Sequence, residues 1–300
     1  MNKKMDKVKK QRIFDSIRFC ILLVAILVML YPTISNCLYV RNSSIIISEY
    51  TSKTQGMTEE EINRLLEKAN EYNQSLLGRG MLSDPFSLSE TNVENSLLAI
   101  SKSEIIAYIQ IPKLNLELPI YYGTKKATLQ KGIGVFEGSS LPIGGKSTHT
   151  VLTGHNGLSS AELFTHLDKL EIGDVFYIKV LTQTLAYQVD QILVVKPEET
   201  EALSIVEGED YATLVTCTPY TVNTHRLLVR GHRISYEEAV IVTPSEIDKF
   251  TLPFEVMLLM LSVLFLILLW VISKIIGMLR RKKKTNKTLN RLVFLKGNIR

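Results

Sequence analysis

The stretch TLVTCTPYTVNTHR, residues 213–226, places Cys217 near the end of a β-type run, with Arg226 nine residues beyond it. A thiol and a guanidinium suit nucleophilic acyl transfer: sulfur attacks a carbonyl, and a fixed cation steadies the oxygen that gains charge. The thiolate is the reactive form, so such a site also needs a base, ordinarily histidine. The chain has five: His149, His155, His166, His225 and His232. His149 and His155 flank the run THTVLTGHN, and His155 emerges where Gly154 and Gly157 permit a tight turn, a position suited to facing a cleft. His166 and His232 read as surface or packing residues, and in an extended run His225 and Arg226 point to opposite faces. Structural readings compete with these. A cysteine in a β-run is often a small buried hydrophobe, and the arginines of RLLVR suit a solvated strand edge, which is the expectation for Arg230. For Cys217 and Arg226, spacing alone does not choose.

The elements that would position these residues lie between two apolar runs. Phe19 to Val40 is 22 residues without a charge, and Val256 to Ser273 reads VMLLMLSVLFLILLWVIS. At about 1.5 Å of rise per residue, each is long enough with its flanks to cross a bilayer as a helix. KKMDKVKKQR precedes the first and RRKKK follows the second. Lysine and arginine prefer the cytoplasmic side, so both ends read as inside and the middle as outside. A cleaved signal peptide is the alternative for the first run, but YPTISNC is a weak cleavage site and an uncleaved anchor is expected.

Charge follows the same division. Residues 1–40 carry 7 basic and 2 acidic side chains (net +5), 41–250 carry 18 and 27 (−9), and 251–300 carry 10 and 1 (+9). The basic ends read as topology signals and anionic-lipid contacts. An acidic central segment argues against nucleic acid or another phosphate-rich partner. Of three cysteines, Cys20 and Cys37 fall in the first apolar run, so Cys217 is alone in the outer segment. Extracellular domains usually pair their cysteines, and an odd thiol there is either inert and buried or reactive.

Thr58 to Leu77 reads as an amphipathic helix opened by a capping box of Thr58 and Glu61. GRGMLSDPFSLSETN follows as a loop. From Ile105 onward come short β-type runs: IIAYIQI, LELPIYY, HTVLTGH, VFYIKV, LAYQVDQILVV, ATLVTCT and HRLLVRGHRI. A short helix is expected near SSAELFTHLDKL. Many short strands at this spacing predict a closed barrel or sandwich with its core over 101–236. The expected organisation is therefore a basic segment at 1–18, an anchor at 19–40, a helix and loop region at 41–100 and the catalytic barrel at 101–236. A linker at 237–252, a transmembrane helix at 253–279 and a basic tail at 280–300 complete it.

TLVTC resembles the TLxTC signature of sortases, membrane-anchored cysteine transpeptidases of Gram-positive bacteria. TGHNG around His155 and NTHRLLVRG around Arg226 resemble that family's other two active-site segments, in the same order. The resemblance runs from about Leu76 to Arg233. It implies an eight-stranded, mainly β closed barrel with Cys217 as nucleophile, His155 as acid/base and Arg226 as transition-state stabiliser. It also implies substrates with an LPXTG-like sorting signal. The C-terminal membrane helix and the DPF at Asp84 to Phe86 resemble class C, the pilin polymerases. There an Asp-Pro-aromatic lid brings its acid to the active-site arginine and its ring over the cysteine, which here implies Asp84 on Arg226 and Phe86 over Cys217. The partners implied are pilin or surface proteins, a lysine amine of a neighbouring pilin as acceptor, and the membrane. One departure is Val135, where the class often has histidine, and no role is carried to it. No metal cluster or Gly-rich phosphate loop is visible, so no cofactor is expected. Two rival readings are a housekeeping-type sortase joining surface proteins to the cell wall, and a non-enzymatic membrane-anchored binding protein with an inert Cys217.

Overall fold

The computed structural model describes residues 2–78, 84, 86, 105–242, 257, 260–268, 270 and 271. The chain divides into two compact units, Met1–Leu30 with Lys249–Arg300, and Tyr31–Asp248. In the first unit, residues 257, 260–268, 270 and 271 are helical, and the Phe19 and Trp270 rings stack at 4.5 Å. The expected transmembrane helix at 253–279 and the tail at 280–300 otherwise fall outside the described residues, as does most of the expected loop GRGMLSDPFSLSETN.

Helix α1 (Asn2–Gln55) does not stop at the end of the first apolar run. The stretch Ile13–Gln55 is long and apolar enough to contain a membrane span. Past residue 40 the same helix becomes amphipathic. Ser43, Ile47, Tyr50 and Thr54 are buried, a spacing that puts all four on one face. Ile47 and Tyr50 cluster with Ile105, Tyr108 and Tyr121 of the barrel. The Tyr50 hydroxyl donates to the Ile106 carbonyl and accepts from the Leu181 N–H, each at 2.8 Å. Burial of that face carries the helix 15 residues beyond the expected anchor.

Helix α2 (Glu59–Ser75) starts at the expected capping box: the Glu61 N–H donates to Thr58 Oγ1 and the Thr58 N–H to Glu61 Oε2. Near its end, buried Asn73 imitates a strand neighbour. Its Oδ1 accepts from the Leu141 N–H at 2.7 Å and its Nδ2 donates to the Leu141 carbonyl at 3.2 Å.

The barrel follows: β1 (Ile105–Ile111), β2 (Leu116–Tyr122), a short α3 (Lys126–Lys131), β3 (Ile133–Val135), β4 (Thr148–Thr153), β5 (Val175–Val180), β6 (Gln183–Val195), β7 (Asp210–Thr218), β8 (His225–Ile234) and α4 (Tyr236–Val242). The strands close in the order β1-β2-β3-β4-β7-β8-β6-β5, with β5 pairing back onto β1. Among the described strands, closure leaves no unpaired edge. β2–β3 and β4–β7 are parallel, and the remaining pairs are antiparallel. Ile109, Ile111, Ile120, Leu152, Phe176 and Tyr187 are among the side chains that fill the interior.

The closed barrel is the architecture expected, with three local differences. β3 is a strand the runs did not predict, and Gly134 explains why a strand fits there: a Cβ would come 2.3 Å from the Gly123 carbonyl oxygen. The segment 159–170 holds turns and a 3-10 turn at Leu167–Lys169 in place of the expected short helix. The linker begins as helix α4.

Candidate active site

Strand β4 lies beside β7, well removed from it in sequence, and β7 lies beside β8, the next strand along the chain. The parallel β4–β7 register pairs Leu152 with Leu214 and Thr153 with Val215. Continued by two residues, it brings His155 level with Cys217. The antiparallel β7–β8 register pairs Cys217 with Arg226 directly. Cys217 and Arg226 are thus cross-strand partners, and His155 follows two residues past the end of β4 at the same end of the barrel.

Local packing turns the chain at His155. Gly154 has no room for a side chain, since a Cβ would lie 2.6 Å from Ile133 Cδ1 and 2.7 Å from Phe164 Cδ2. The Gly154 N–H donates to the Val215 carbonyl, and the Thr216 hydroxyl donates to the Gly154 carbonyl at 2.7 Å. The Phe164 N–H donates to the His155 carbonyl at 3.1 Å. His155 is therefore held from both sides where the strand ends.

Arg226 is engaged along one edge by Asp84. Nε donates to Oδ1 at 2.8 Å and Nη2 to Oδ2 at 2.5 Å. Nη1 donates to the carbonyls of Asn223 and His225, each at 3.2 Å. The two charged side chains are only 11% and 14% exposed, so solvent screens the pair less than a surface ion pair. Phe86 covers the same place: its ring centroid is 5.0 Å from Arg226 Cζ and 6.1 Å from the His155 ring. It packs beside Val215, Leu228 and Leu203. The five residues singled out in the sequence, His155, Cys217, Arg226, Asp84 and Phe86, thus gather at one end of the barrel.

A sortase domain family pattern matches residues 109–234. Sortase C of Streptococcus pneumoniae superposes with a TM-score of 0.60 at 46% identity, covering 64% of this chain and 97% of its own. Sortase C1 of Streptococcus agalactiae, in its type III crystal structure, gives 0.61 at 46% identity, covering 67% and 100%.

The chain belongs to the sortase family.

Among curated sequences, sortase A of Streptococcus agalactiae serotype III (strain NEM316) is 30% identical over 151 residues, 48% of this chain and 60% of that protein. Sortase A of Bacillus anthracis is 29% identical over 133 residues, 44% and 61%. The chain therefore spans about three fifths of the curated relatives it matches. Sortases are cysteine transpeptidases, and the solved neighbours named above are class C members.

The electrostatics of the sortase site favour uncharged forms of thiol and imidazole. Burial pushes the Cys217 thiol above its ordinary range; Arg226 opposes that and the Asp84 carboxylate adds to it. Burial also holds the His155 imidazole below its ordinary value, and the charge of Lys126 adds to the effect. Cys217 is half-buried and free.

The other histidines stand elsewhere. His149 is fully buried, with Nδ1 2.9 Å from the Ser204 carbonyl and Nε2 2.7 Å from Thr213 Oγ1. Burial depresses its pKa to about 4. His166 is exposed, and His225 and His232 lie along β8. Arg230 departs from the expected solvated edge. Asp190, at a bulge in β6, binds it through both oxygens at 3.0 and 2.9 Å, and its guanidinium lies 4.2 Å from the Tyr211 ring centroid.

One residue at the site escaped the sequence reading. Asn156 Nδ2 donates to the Cys217 carbonyl at 2.7 Å. The signal was present in TGHNG, but an asparagine between His and Gly reads as an ordinary turn residue.

Proposed function

We propose that this sortase is a lidded cysteine transpeptidase, anchored in the cell membrane with its barrel outside, that joins pilin subunits. The Cys217 thiolate attacks the carbonyl of the Thr–Gly bond in an LPXTG-like sorting signal. Arg226 steadies the oxyanion through its N–H groups. The C–N bond breaks, His155 gives its proton to the departing amine, and a thioester to Cys217 remains. A lysine amine of the next pilin then attacks the thioester, and His155 takes its proton. The sulfur leaves as thiolate and the product is an isopeptide bond.

The observation that carries this reading is the occupied guanidinium of Arg226. It lies across the strand pair from Cys217, yet its Nε and Nη2 are held by Asp84. A carboxylate on that edge competes with a developing oxyanion for the same donors. Asp84 and Phe86 thus act as a lid that must move before acyl transfer. The neutral thiol and imidazole suit a closed resting state, with proton transfer from Cys217 to His155 following release of Asp84. The pilin reading draws on Sortase C of Streptococcus pneumoniae, whose structure was described in terms of pilin substrate specificity.

The test is intact-mass analysis of the full chain in detergent micelles with an LPXTG-type peptide, beside Asp84→Ala and Cys217→Ala forms. An acyl adduct strongest in Asp84→Ala and absent in Cys217→Ala is expected. Equal acylation with and without Asp84 would discard the lid. An absence of adduct in every form, with Cys217 inert to small alkylating agents, would overturn the enzyme itself.

A further inference from the structure

The turn that carries His155 is tied to Cys217 by a side chain where a strand would use its backbone. The last rung between β4 and β7 runs from the Gly154 N–H to the Val215 carbonyl at 3.0 Å. In a parallel ladder the next bond in that direction lies two residues on along both strands. It would join residue 156 to the Cys217 carbonyl. That carbonyl receives Asn156 Nδ2 at 2.7 Å.

We infer that Asn156 is a positioning residue for acyl transfer: its side-chain amide replaces the next rung, fixing Cys217 while the backbone at His155 turns out of the ladder and carries the imidazole beside the thiol. The inference rests on the transpeptidase reading above. Three observations separate it from an ordinary turn asparagine. A turn asparagine satisfies backbone groups two or three residues away, whereas this bond spans 61 residues of sequence. Its Oδ1 is buried with no partner among the described residues. An unpaired buried carbonyl is unfavourable, so the side chain is not arranged for stability alone. The same two segments also meet one residue further on: a Cβ at Gly157 would lie 2.7 Å from the Tyr220 ring. The register of the catalytic pair is thus held by the amide of Asn156 on one side and the Gly157–Tyr220 contact on the other.

The experiment compares Asn156→Ala and Asn156→Asp in the full chain in detergent micelles, both in the Asp84→Ala background, with an LPXTG-type peptide and an amine acceptor. Asn156→Ala should lower kcat by up to about 100-fold, the scale of a small misplacement of reacting groups, with KM little changed. The Asn156→Asp carboxyl donates to the Cys217 carbonyl only while protonated. Its activity relative to Asn156→Ala should therefore rise as pH is lowered from about 8 to about 5. An unchanged kcat in Asn156→Ala, or a ratio between the variants that stays flat with pH, would overturn the positioning role. If the chain with Asn156 intact forms no acyl adduct, the transpeptidase reading falls and takes this inference with it. A reactive intact chain confines any failure to Asn156.

Discussion

Cys217 and Arg226 are direct cross-strand partners on β7 and β8, and Asp84, 142 residues before Arg226 in sequence, holds that arginine by two of its nitrogens. The thiol and the cation are set by barrel register, whereas the carboxylate that holds the cation comes from outside the barrel strands.

Removing the restraint should change the thiol as well as access to it. The Asp84 carboxylate raises the Cys217 pKa, so Asp84→Asn should lower it. The rate of Cys217 alkylation by iodoacetamide, followed against pH, should shift its midpoint to lower pH in Asp84→Asn. A midpoint that stays or moves upward would contradict this assignment.

Arg226 should not tolerate its nearest chemical substitute. Lysine retains the charge but lacks the planar fork that reaches two oxygens at once. Arg226→Lys and Arg226→Ala are both expected to lose about 100- to 1,000-fold in kcat for peptide acylation, the scale of one lost oxyanion donor. Near-complete rescue by lysine would mean that Arg226 acts as a charge alone.

Gly154→Ala tests how tightly the His155 turn is packed. The added methyl meets Ile133 and Phe164 at 2.6 to 2.7 Å, and overpacking of this kind costs about 1–3 kcal/mol. Denaturant midpoints should fall accordingly, with acylation reduced because His155 is the next residue. A variant of unchanged stability and activity would show that the turn relaxes freely.

His149 makes the barrel acid-sensitive. Its folded pKa of about 4 lies below the ordinary histidine value of 6.5, so the unfolded chain takes up the proton first as pH falls. The contribution is fully present above about pH 6.5 and is lost progressively down to about pH 4. The shift corresponds to a loss on the order of 3 kcal/mol. Denaturant unfolding at several pH values should record that decline, and His149→Gln should flatten it. A wild-type stability that does not change across this window would argue against a buried neutral imidazole.

Most of the barrel was legible because its strands are contiguous apolar or alternating runs bounded by turn residues. β3 was not: three residues around Gly134 carry no periodic signal, and only the tertiary approach to Gly123 gives that glycine its reason. The extent of α1 was hidden for a related reason. RNSSIIISEYTSKTQ looks polar after the apolar run, and its Ser43, Ile47, Tyr50 and Thr54 stripe acquires meaning only against the barrel surface. At the site, Cys217, His155 and Arg226 were read through a family resemblance, since spacing left their structural alternatives open. Asp190 and Asn156 were missed because each acts on a residue 40 or more positions away in sequence.

The Asp84–Arg226 contact also bears on which acyl donors can succeed. A carboxylate on the same chain as its receptor behaves as a competitor whose effective concentration is set by the length and stiffness of its tether. Under the proposed lid, a free peptide at micromolar concentration would meet a site whose open fraction is small, and its apparent affinity would be reduced in proportion. A protein held at the same membrane surface would meet the same closed fraction, but its higher local concentration would offset the loss. The loop would then discriminate by crowding as much as by sequence, favouring donors delivered in the plane of the membrane over fragments arriving from solution.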